Sequence, residues 1–475
     1  MPRDATPPES ALNELRSRFR ADLFADTPAD LEKYGQDWSG VLRPRPGAIA
    51  FPRSTDEVAS LLRACHELDV PVVPSGGRTG LSGGAVAAHG ELVVSLEKMN
   101  RIGAVDSQAL TIEVEAGAIT EAVHASTAAH GLTWPVDFAS KGSSQVGGNL
   151  ATNAGGIRVI RYGLTRNWVL GLTAVTMTGE VLRLNGALEK NNTGIDLRQL
   201  FIGSEGTLGV ITEAVLKLCP LPRVDRTQVA FFALRDFAAV LRLFSEARKA
   251  PFALSAFECL SDRCFAEVVR HGVRAPVDPG TGDAYVVLEV EPDDATIFEA
   301  WLERVFSWES ETGTPPLVLD GTLALSKKDR AELWAIRERV AESVLAGSEV
   351  HQQDLSVPIA SLGEFFADVE ARYRAAYPEF EVFVFGHIGD GNLHIFIRKP
   401  PAMASAAFHA RCAESDTMLF ELCRKFHGSV SAEHGVGILK KPALPYSRSE
   451  TELAYLRALK RALDPKGLLN PGKMI

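Results

Sequence analysis

Two histidines, His387 and His394, bracket the dipeptide Asp390-Gly391 inside the apolar stretch Val382–Ile397. Asp-Gly between apolar runs is the strongest short hairpin signal, and it centres a two-residue type I′ turn on Asp390 and Gly391. In that register His387 faces His394. Directly opposed residues share a sheet face with Cα atoms roughly 5.5 Å apart or less, so two imidazoles stand side by side, a geometry suited to chelating one metal ion. On its own such a pair is more often two half-buried histidines that only hydrogen-bond. The segment Ser431-Ala432-Glu433-His434-Gly435-Val436-Gly437 tips the balance. It offers a carboxylate, Glu433, as third ligand, and in His434 an imidazole not needed as a ligand. Two His and one Glu around an open position form a catalytic metal set. Adjacent residues of an extended strand point to opposite faces, so Glu433 and His434 can serve one site only where the backbone leaves β geometry.

Three glycine-rich stretches carry a second kind of chemistry. Pro74-Ser75-Gly76-Gly77-Arg78-Thr79-Gly80-Leu81-Ser82-Gly83-Gly84 holds five glycines directly after an apolar strand. Successive glycines let backbone N–H groups converge on an anion and let a pyrophosphate approach without Cβ clashes. A lone Gly-Gly pair would be an ordinary turn; five after a buried strand point to phosphate. The pattern is neither a Walker loop nor GxGxxG, which disfavours an NTPase or a Rossmann NAD site. Lys141–Gly156 adds small residues and side-chain donors for a flat polar ligand, and Phe201–Ile211 does the same beside a strand.

These residues must be positioned by two kinds of framework. Ser54 and Glu57 form a capping box that opens a helix through about Leu68. Strands follow at Val70–Val73, Glu91–Leu96 and Leu110–Glu115, then a helix near Ile119–His130 and strands at Trp168–Met177 and Val210–Leu218. Pro220-Leu221-Pro222 marks a boundary. Beyond Arg226 the units lengthen: Gln228–Leu234, Phe237–Arg248, Ala253–Leu260, Ala284–Glu291 and a long helix Ser326–Leu345 suggest a separate α+β domain on an antiparallel sheet. Asp464–Ile475 is a Pro/Gly-rich tail.

At 475 residues the chain is long enough for two or three domains, and 46% hydrophobic with 23% charged residues suits packed cores. A net charge of -10 argues against a nucleic-acid scaffold. No apolar run approaches the ~20 residues that cross a bilayer, and Met1–Arg20 lacks a signal-peptide core, so a soluble, cytoplasmic or matrix-like protein is expected. The six cysteines are scattered without CxxC spacing, which excludes a local iron–sulfur motif. Electrons would have to leave by another route.

Taken together, Pro74–Gly84, Gly147–Gly156, Gly203–Ile211, Gly386–His394, Glu433-His434 and Leu469-Asn470-Pro471-Gly472-Lys473 resemble the FAD-linked D-2-hydroxyacid dehydrogenases of the vanillyl-alcohol-oxidase superfamily over nearly the whole chain. The resemblance implies an α+β protein: a two-subdomain FAD-binding fold at 43–221, after an N-terminal helical segment at 1–42. An antiparallel-sheet substrate (cap) domain with the metal site would follow at 222–463, and a tail at 464–475 would return to the FAD domain. Pro74, Ser75, Gly76, Gly77, Arg78, Thr79, Gly80, Ser82 and Gly83 would hold the pyrophosphate. Gly142, Ser143, Gly148, Asn149, Thr152, Asn153, Gly156, Glu205, Gly206, Gly209 and Ile211 would line the cofactor, and Asn470 would reach it from the tail. With no His or Cys in Pro74–Gly84, the FAD is expected to be non-covalent. The resemblance further implies that His387, His394 and Glu433 bind zinc or manganese, that His434 is the catalytic base, and that Arg337, in Leu333-Trp334-Ala335-Ile336-Arg337, grips a substrate carboxylate.

The implied reaction is oxidation of a small D-2-hydroxy acid, lactate-like or 2-hydroxyglutarate-like. An external acceptor such as an electron-transfer flavoprotein, a quinone or a cytochrome would take the electrons, and a homodimer is compatible. Three positions depart from the hydroxyglutarate pattern: Ala341 for a hydroxyl residue, Gln352 for a lysine and Phe396 for an amide. They leave a smaller or more apolar acid open. Three rivals share the fold. A relay subunit of a glycolate-oxidase-like complex needs no metal or base. An alkyl-glycerone-phosphate synthase should carry a run of histidines at Ala432–His434. An oxidase with covalent flavin lacks an attachment residue here.

Overall fold

The computed structural model describes residues 7–223, 226–307 and 316–475. The chain divides into two compact units: Met1–Gly156 with Tyr162–Leu221 and Glu433–Ile475, and Ile157–Arg161 with Pro222–Ala432. It is a mixed α+β fold, as expected.

The first unit contains two sheets. β1 (Phe24–Ala25), β2 (Ala48–Ala50), β3 (Val72–Ser75) and β4 (Leu92–Ser95) make a four-stranded sheet in the order β1-β2-β4-β3. Its β2–β4 and β3–β4 pairs are parallel. β5 (Ile102–Asp106), β6 (Thr111–Glu115), β8 (Val169–Val175), β9 (Val181–Leu184) and β10 (Val210–Lys217) make an antiparallel sheet in the order β5-β6-β10-β8-β9, while the short β7 (Leu132–Thr133) and β11 (Cys219–Pro220) pair apart. β3 and β4 are continuous apolar runs because both faces of that sheet are covered; Val72, Val73, Leu92, Val93 and Val94 are fully buried. The helix Thr55–Glu67 starts where Ser54 accepts the Glu57 amide, but the expected reciprocal bond is absent. The Glu57 carboxylate accepts instead from the Arg53 amide and from Arg20. A complete capping box, unread in the sequence, opens Glu450–Leu463 at Ser449 and Glu452.

The second unit is built on one antiparallel sheet. Its strands are β12 (Gln228–Leu234), β13 (Ala253–Ser261), β14 (Ala284–Glu291), β15 (Val318–Leu323), β16 (Val350–Ser356), β17 (Glu381–His387) and β18 (Asn392–Arg398), in the order β15-β12-β14-β13-β17-β18-β16. The single helix expected at Ser326–Leu345 is two, Lys327–Glu338 and Val340–Leu345, with Arg339 between them. Ile336, Val340 and Val344 pack with Phe231, Leu260, Val287 and Phe385 in one core on that sheet face.

The β17–β18 hairpin corrects the sequence reading. His387 pairs with Asn392, and it is Phe385 that pairs with His394. The connection spans Ile388–Gly391, with a 3₁₀ turn over Ile388–Asp390 and Gly391 at φ +79°. A side chain at Gly391 would also strike the Val357 carbonyl, 2.2 Å from its Cβ. The two-residue turn fails because Ile388 is fully buried, and the longer loop is what lets it turn inward. The two histidines still share a face, since residues two apart on a strand point the same way. They are diagonal neighbours rather than opposed ones.

Candidate active site

In the first unit, the three glycine-rich stretches converge on the end of β3. A Cβ on Gly77 would lie 2.3 Å from the Ser143 carbonyl, and one on Gly76 would touch the Gly148 backbone at 3.6 Å, so two loops pack main chain to main chain. The Gly203 amide donates to the Leu150 carbonyl (3.0 Å) and the Glu205 amide to Ala151 (2.8 Å), bringing in the third stretch. Gly206 lies against Pro74, its ideal Cβ 3.1 Å from that ring. Gly148, by contrast, faces open space, with nothing within 4 Å of its Cβ position. Arg78, at φ +58°, bonds the Gly76 carbonyl and lies over the Tyr34 ring.

Asn470 arrives from the tail. Its amide donates to Val72 (2.7 Å), and its Nδ2 donates to the carbonyls of Gly84 (3.0 Å) and Glu205 (2.7 Å). Its Oδ1 is buried without a hydrogen-bond partner among the described residues, as are the Ser75 hydroxyl and the Gln145 Oε1. Orphaned polar atoms beside an open glycine are what a bound polar ligand would satisfy. The residues fit FAD.

Several residues expected at the cofactor have side chains committed elsewhere. Asn149 donates to the Thr120 hydroxyl, Asn153 caps its helix in the left-handed region, and Gly209 packs under the Phe201 ring. Two more hold the Glu433–Gly437 loop. Glu205 accepts the amides of Val436 and Gly437, both at 2.7 Å, and burial pushes its carboxyl above the usual range against those two donors. Ser82 donates to the carbonyls of His434 and Gly435. Gly437, at φ +49°, has its Cβ position 2.0 Å from the Ser82 carbonyl, so only glycine fits. These bonds explain why the return to the first unit begins at Glu433 rather than at Asp464. The loop is a bend and not a strand, which lets the Glu433 carboxylate and the His434 Nε2 come to 3.8 Å.

In the second unit, five adjacent strands present a polar stripe on the helix-covered face. The register places Glu289 of β14, Glu258 of β13, His387 of β17, His394 of β18 and Asp354 of β16 on that face. All five are buried. The two imidazole rings are 5.4 Å apart between centroids and nearly perpendicular. The Glu258 carboxylate lies 2.8 Å from His387 Nδ1 and 2.8 Å from Arg337 Nε. Burial works to raise the Glu258 carboxyl, but the attraction of the adjacent His387 and Arg337 outweighs it and holds it below the usual range. Arg337 stands over the Phe385 ring and reaches His387 Nε2 at 3.4 Å. Since Arg337 can only donate, these partners assign the proton of His387 to Nδ1 and the lone pair to Nε2.

Asp354 and Asn392 were missed in the sequence. Asn392 Nδ2 donates to Asp354 (2.8 Å), whose other oxygen accepts the Ala432 amide at 3.0 Å. Only the ladder register could have shown them, since Asp354 faces His394 from the next strand and Asn392 faces His387 across the hairpin. The positions that departed from the hydroxyglutarate pattern are also placed. Phe396 is buried, pairs with Gln352 across the ladder and packs edge-on against Phe385; Ala341 is half-buried against the same core.

Residues 46–185 match the model of an FAD binding domain, and residues 223–474 match that of the C-terminal domain of FAD linked oxidases. The D-2-hydroxyglutarate dehydrogenase of Xanthomonas citri pv. viticola is 47% identical, over 94% of this chain and 93% of its own. The mitochondrial D-2-hydroxyglutarate dehydrogenase of Bos taurus is 40% identical over 94% of this chain and 80% of its own. Among solved structures, 4-ethylphenol oxidase from Gulosibacter chungangensis superposes with a TM-score of 0.75 at 18% identity, covering 100% of this chain and 98% of that one. An alkyldihydroxyacetonephosphate synthase gives 0.71 at 20% identity, covering 98% and 86%. At such identities these two share the fold and nothing more.

Proposed function

We infer the activity from one premise: the chain belongs to the FAD-linked oxidases, in the family that includes D-2-hydroxyglutarate dehydrogenases. It is an FAD-dependent dehydrogenase that oxidises a D-2-hydroxy acid to the 2-oxo acid. The first unit is its FAD-binding domain and the second its substrate-binding domain. Bound FAD supplies the redox chemistry by accepting a hydride from C2 of the substrate. The glycine cradle holds the pyrophosphate, and Asn470, Ser75 and Gln145 present polar groups to the cofactor.

The observation that carries the substrate reading is the buried group of His387, His394 and Glu258 on one sheet face with Arg337 from the helix packed over it. A buried arginine in contact with a ligand-ready imidazole suits an anionic substrate beside a cation. Arg337 grips a carboxylate with its planar fork. His387 and His394, with Glu433 as third ligand, would hold a divalent metal, zinc or manganese, which would supply Lewis-acid chemistry that lowers the pKa of the substrate hydroxyl. The chain itself supports the Glu433 assignment: it directly follows Ala432, whose amide is fixed on Asp354, the ladder partner of His394. His434 takes the hydroxyl proton as general base. Electrons then leave to an external acceptor, an electron-transfer flavoprotein, a quinone or a cytochrome.

D-2-hydroxyglutarate is the first substrate proposed, on the strength of the named relatives. A more apolar acid is the second, favoured by the Phe396 and Phe385 rings beside His394. A dye-reduction screen of D- and L-2-hydroxy acids with metal-replete protein tests both. Turnover of L-acids alone would overturn the reading.

A further inference from the structure

One carboxylate in the second unit serves two masters. Glu258, 1% exposed, stands opposite His387 in the ladder, and its carboxylate meets two partners, His387 Nδ1 and Arg337 Nε, each at 2.8 Å. The Arg337 contact is an ion pair rather than a linear hydrogen bond, for its angle leaves both atoms without a hydrogen-bond partner. The neighbours of Glu258 on the same face are Ala256, Leu260 and Val287, the residues a core would ordinarily continue with. A buried carboxylate among them is costly unless its charge is used.

Nor is Glu258 needed to dock the helix that carries Arg337. One turn earlier on that helix, Trp334 donates its Nε1 to Glu289 (2.9 Å), and Glu289 also receives Arg158. The helix is therefore tied to the sheet independently of Glu258.

We propose that Glu258 is a positioning residue that couples the metal to the substrate. Resting on the metal reading above, it keeps His387 in the Nδ1–H tautomer, with the ligating lone pair on Nε2, and aims the Arg337 guanidinium at the substrate carboxylate. A carboxylate behind a ligating imidazole raises its basicity and fixes its ring, and losing such a partner typically weakens metal binding about 10–100-fold.

The test uses FAD-loaded protein stripped of metal and titrated with zinc against a chromophoric chelator. Glu258→Gln should bind zinc about 10–100-fold more weakly than the parent with its FAD content unchanged, and should raise KM for the hydroxy acid more than it lowers kcat. Glu258→Asp, which keeps the charge, should recover part of both. Because an unpaired Arg337 could unfold Glu258→Gln, the pair Arg337→Met and Arg337→Met/Glu258→Gln provides a second route. The single variant should hold zinc like the parent, and the double variant should lose the same 10–100-fold. Parent-like zinc affinity in Glu258→Gln, or in the double variant, overturns the proposal. If His387→Ala also binds zinc like the parent, the metal reading itself fails; if only His387→Ala loses zinc, that reading stands and the role of Glu258 alone is refuted.

Discussion

The two units build the sites proposed for them in opposite ways. The glycine cradle of the first is made of main chain: loops touch backbone to backbone, and the groups it offers are amides, small side chains and empty space. The stripe of the second is made of side chains, five buried polar residues contributed by five strands, two of them paired with arginines from outside the sheet. In a backbone site the damaging substitution is one that adds atoms. In a side-chain site it is one that removes a charge or a lone pair. Each substitution below probes that division.

The largest effect is expected at His434. His434→Ala should keep its FAD and its metal yet reduce the flavin roughly 10²–10⁴-fold more slowly in single turnover. Glu433→Ala and His387→Ala should instead lose the metal, as chelation of the parent does, with zinc or manganese restoring only the parent. Metal analysis of the three variants decides the roles; a His434→Ala protein that loses metal while Glu433→Ala keeps it would reverse them.

Within the cradle, Gly77→Ala and Gly148→Ala should part company. The Gly77 Cβ would meet the Ser143 carbonyl, while the Gly148 Cβ meets nothing. Gly77→Ala should lower the stability of the apoprotein by about 1–3 kcal/mol. Gly148→Ala should leave it unchanged but weaken FAD binding. Denaturant titration of apoprotein alongside FAD titration reads both, and equal stability in the two would mean that the loops are less closely packed than their geometry requires. Acid precipitation of the parent should release all of its FAD, since Pro74–Gly84 contains no residue to hold it covalently.

The first unit also contains a buried cation, Lys473, whose pKa burial lowers to about 8 despite Glu91 and Asp37 nearby. A depressed lysine favours folding least when protonated. Its contribution is present above the unfolded value of 10.5 and is lost as the pH falls through about 8. Lys473→Met should therefore be stabilised relative to the parent most at pH 7, and that difference should shrink by about 2 kcal/mol by pH 9.5. Urea unfolding at the two pH values measures it; a difference independent of pH would show the lysine to be solvated.

The smallest effect expected is that of Arg337→Lys, which keeps the charge and loses the fork. It should raise KM for the hydroxy acid about tenfold, worth about 1.4 kcal/mol, with kcat less affected. An unchanged KM would place the substrate carboxylate elsewhere.

What could be read in the sequence was whatever depends on local chemistry. Glycine runs after an apolar strand, the Asp-Gly hairpin, the Glu433-His434 pair and the shift from short to long strand units all follow from neighbours a few residues apart, and each led to the region that matters. Tertiary structure decided the register and the partners. The burial of Ile388 lengthened the β17–β18 turn and moved His387 from facing His394 to a diagonal position. The long connection between β13 and β17 put Glu258 beside His387, and no local pattern joins residues 129 positions apart. Ser82 and Glu205, expected at the cofactor from their place among glycines, hydrogen-bond the Glu433–Gly437 loop, because hydrogen bonding is settled by which donors a fold brings near. Spacing along the chain determines what a residue can do; only the ladder and the packing determine what it meets.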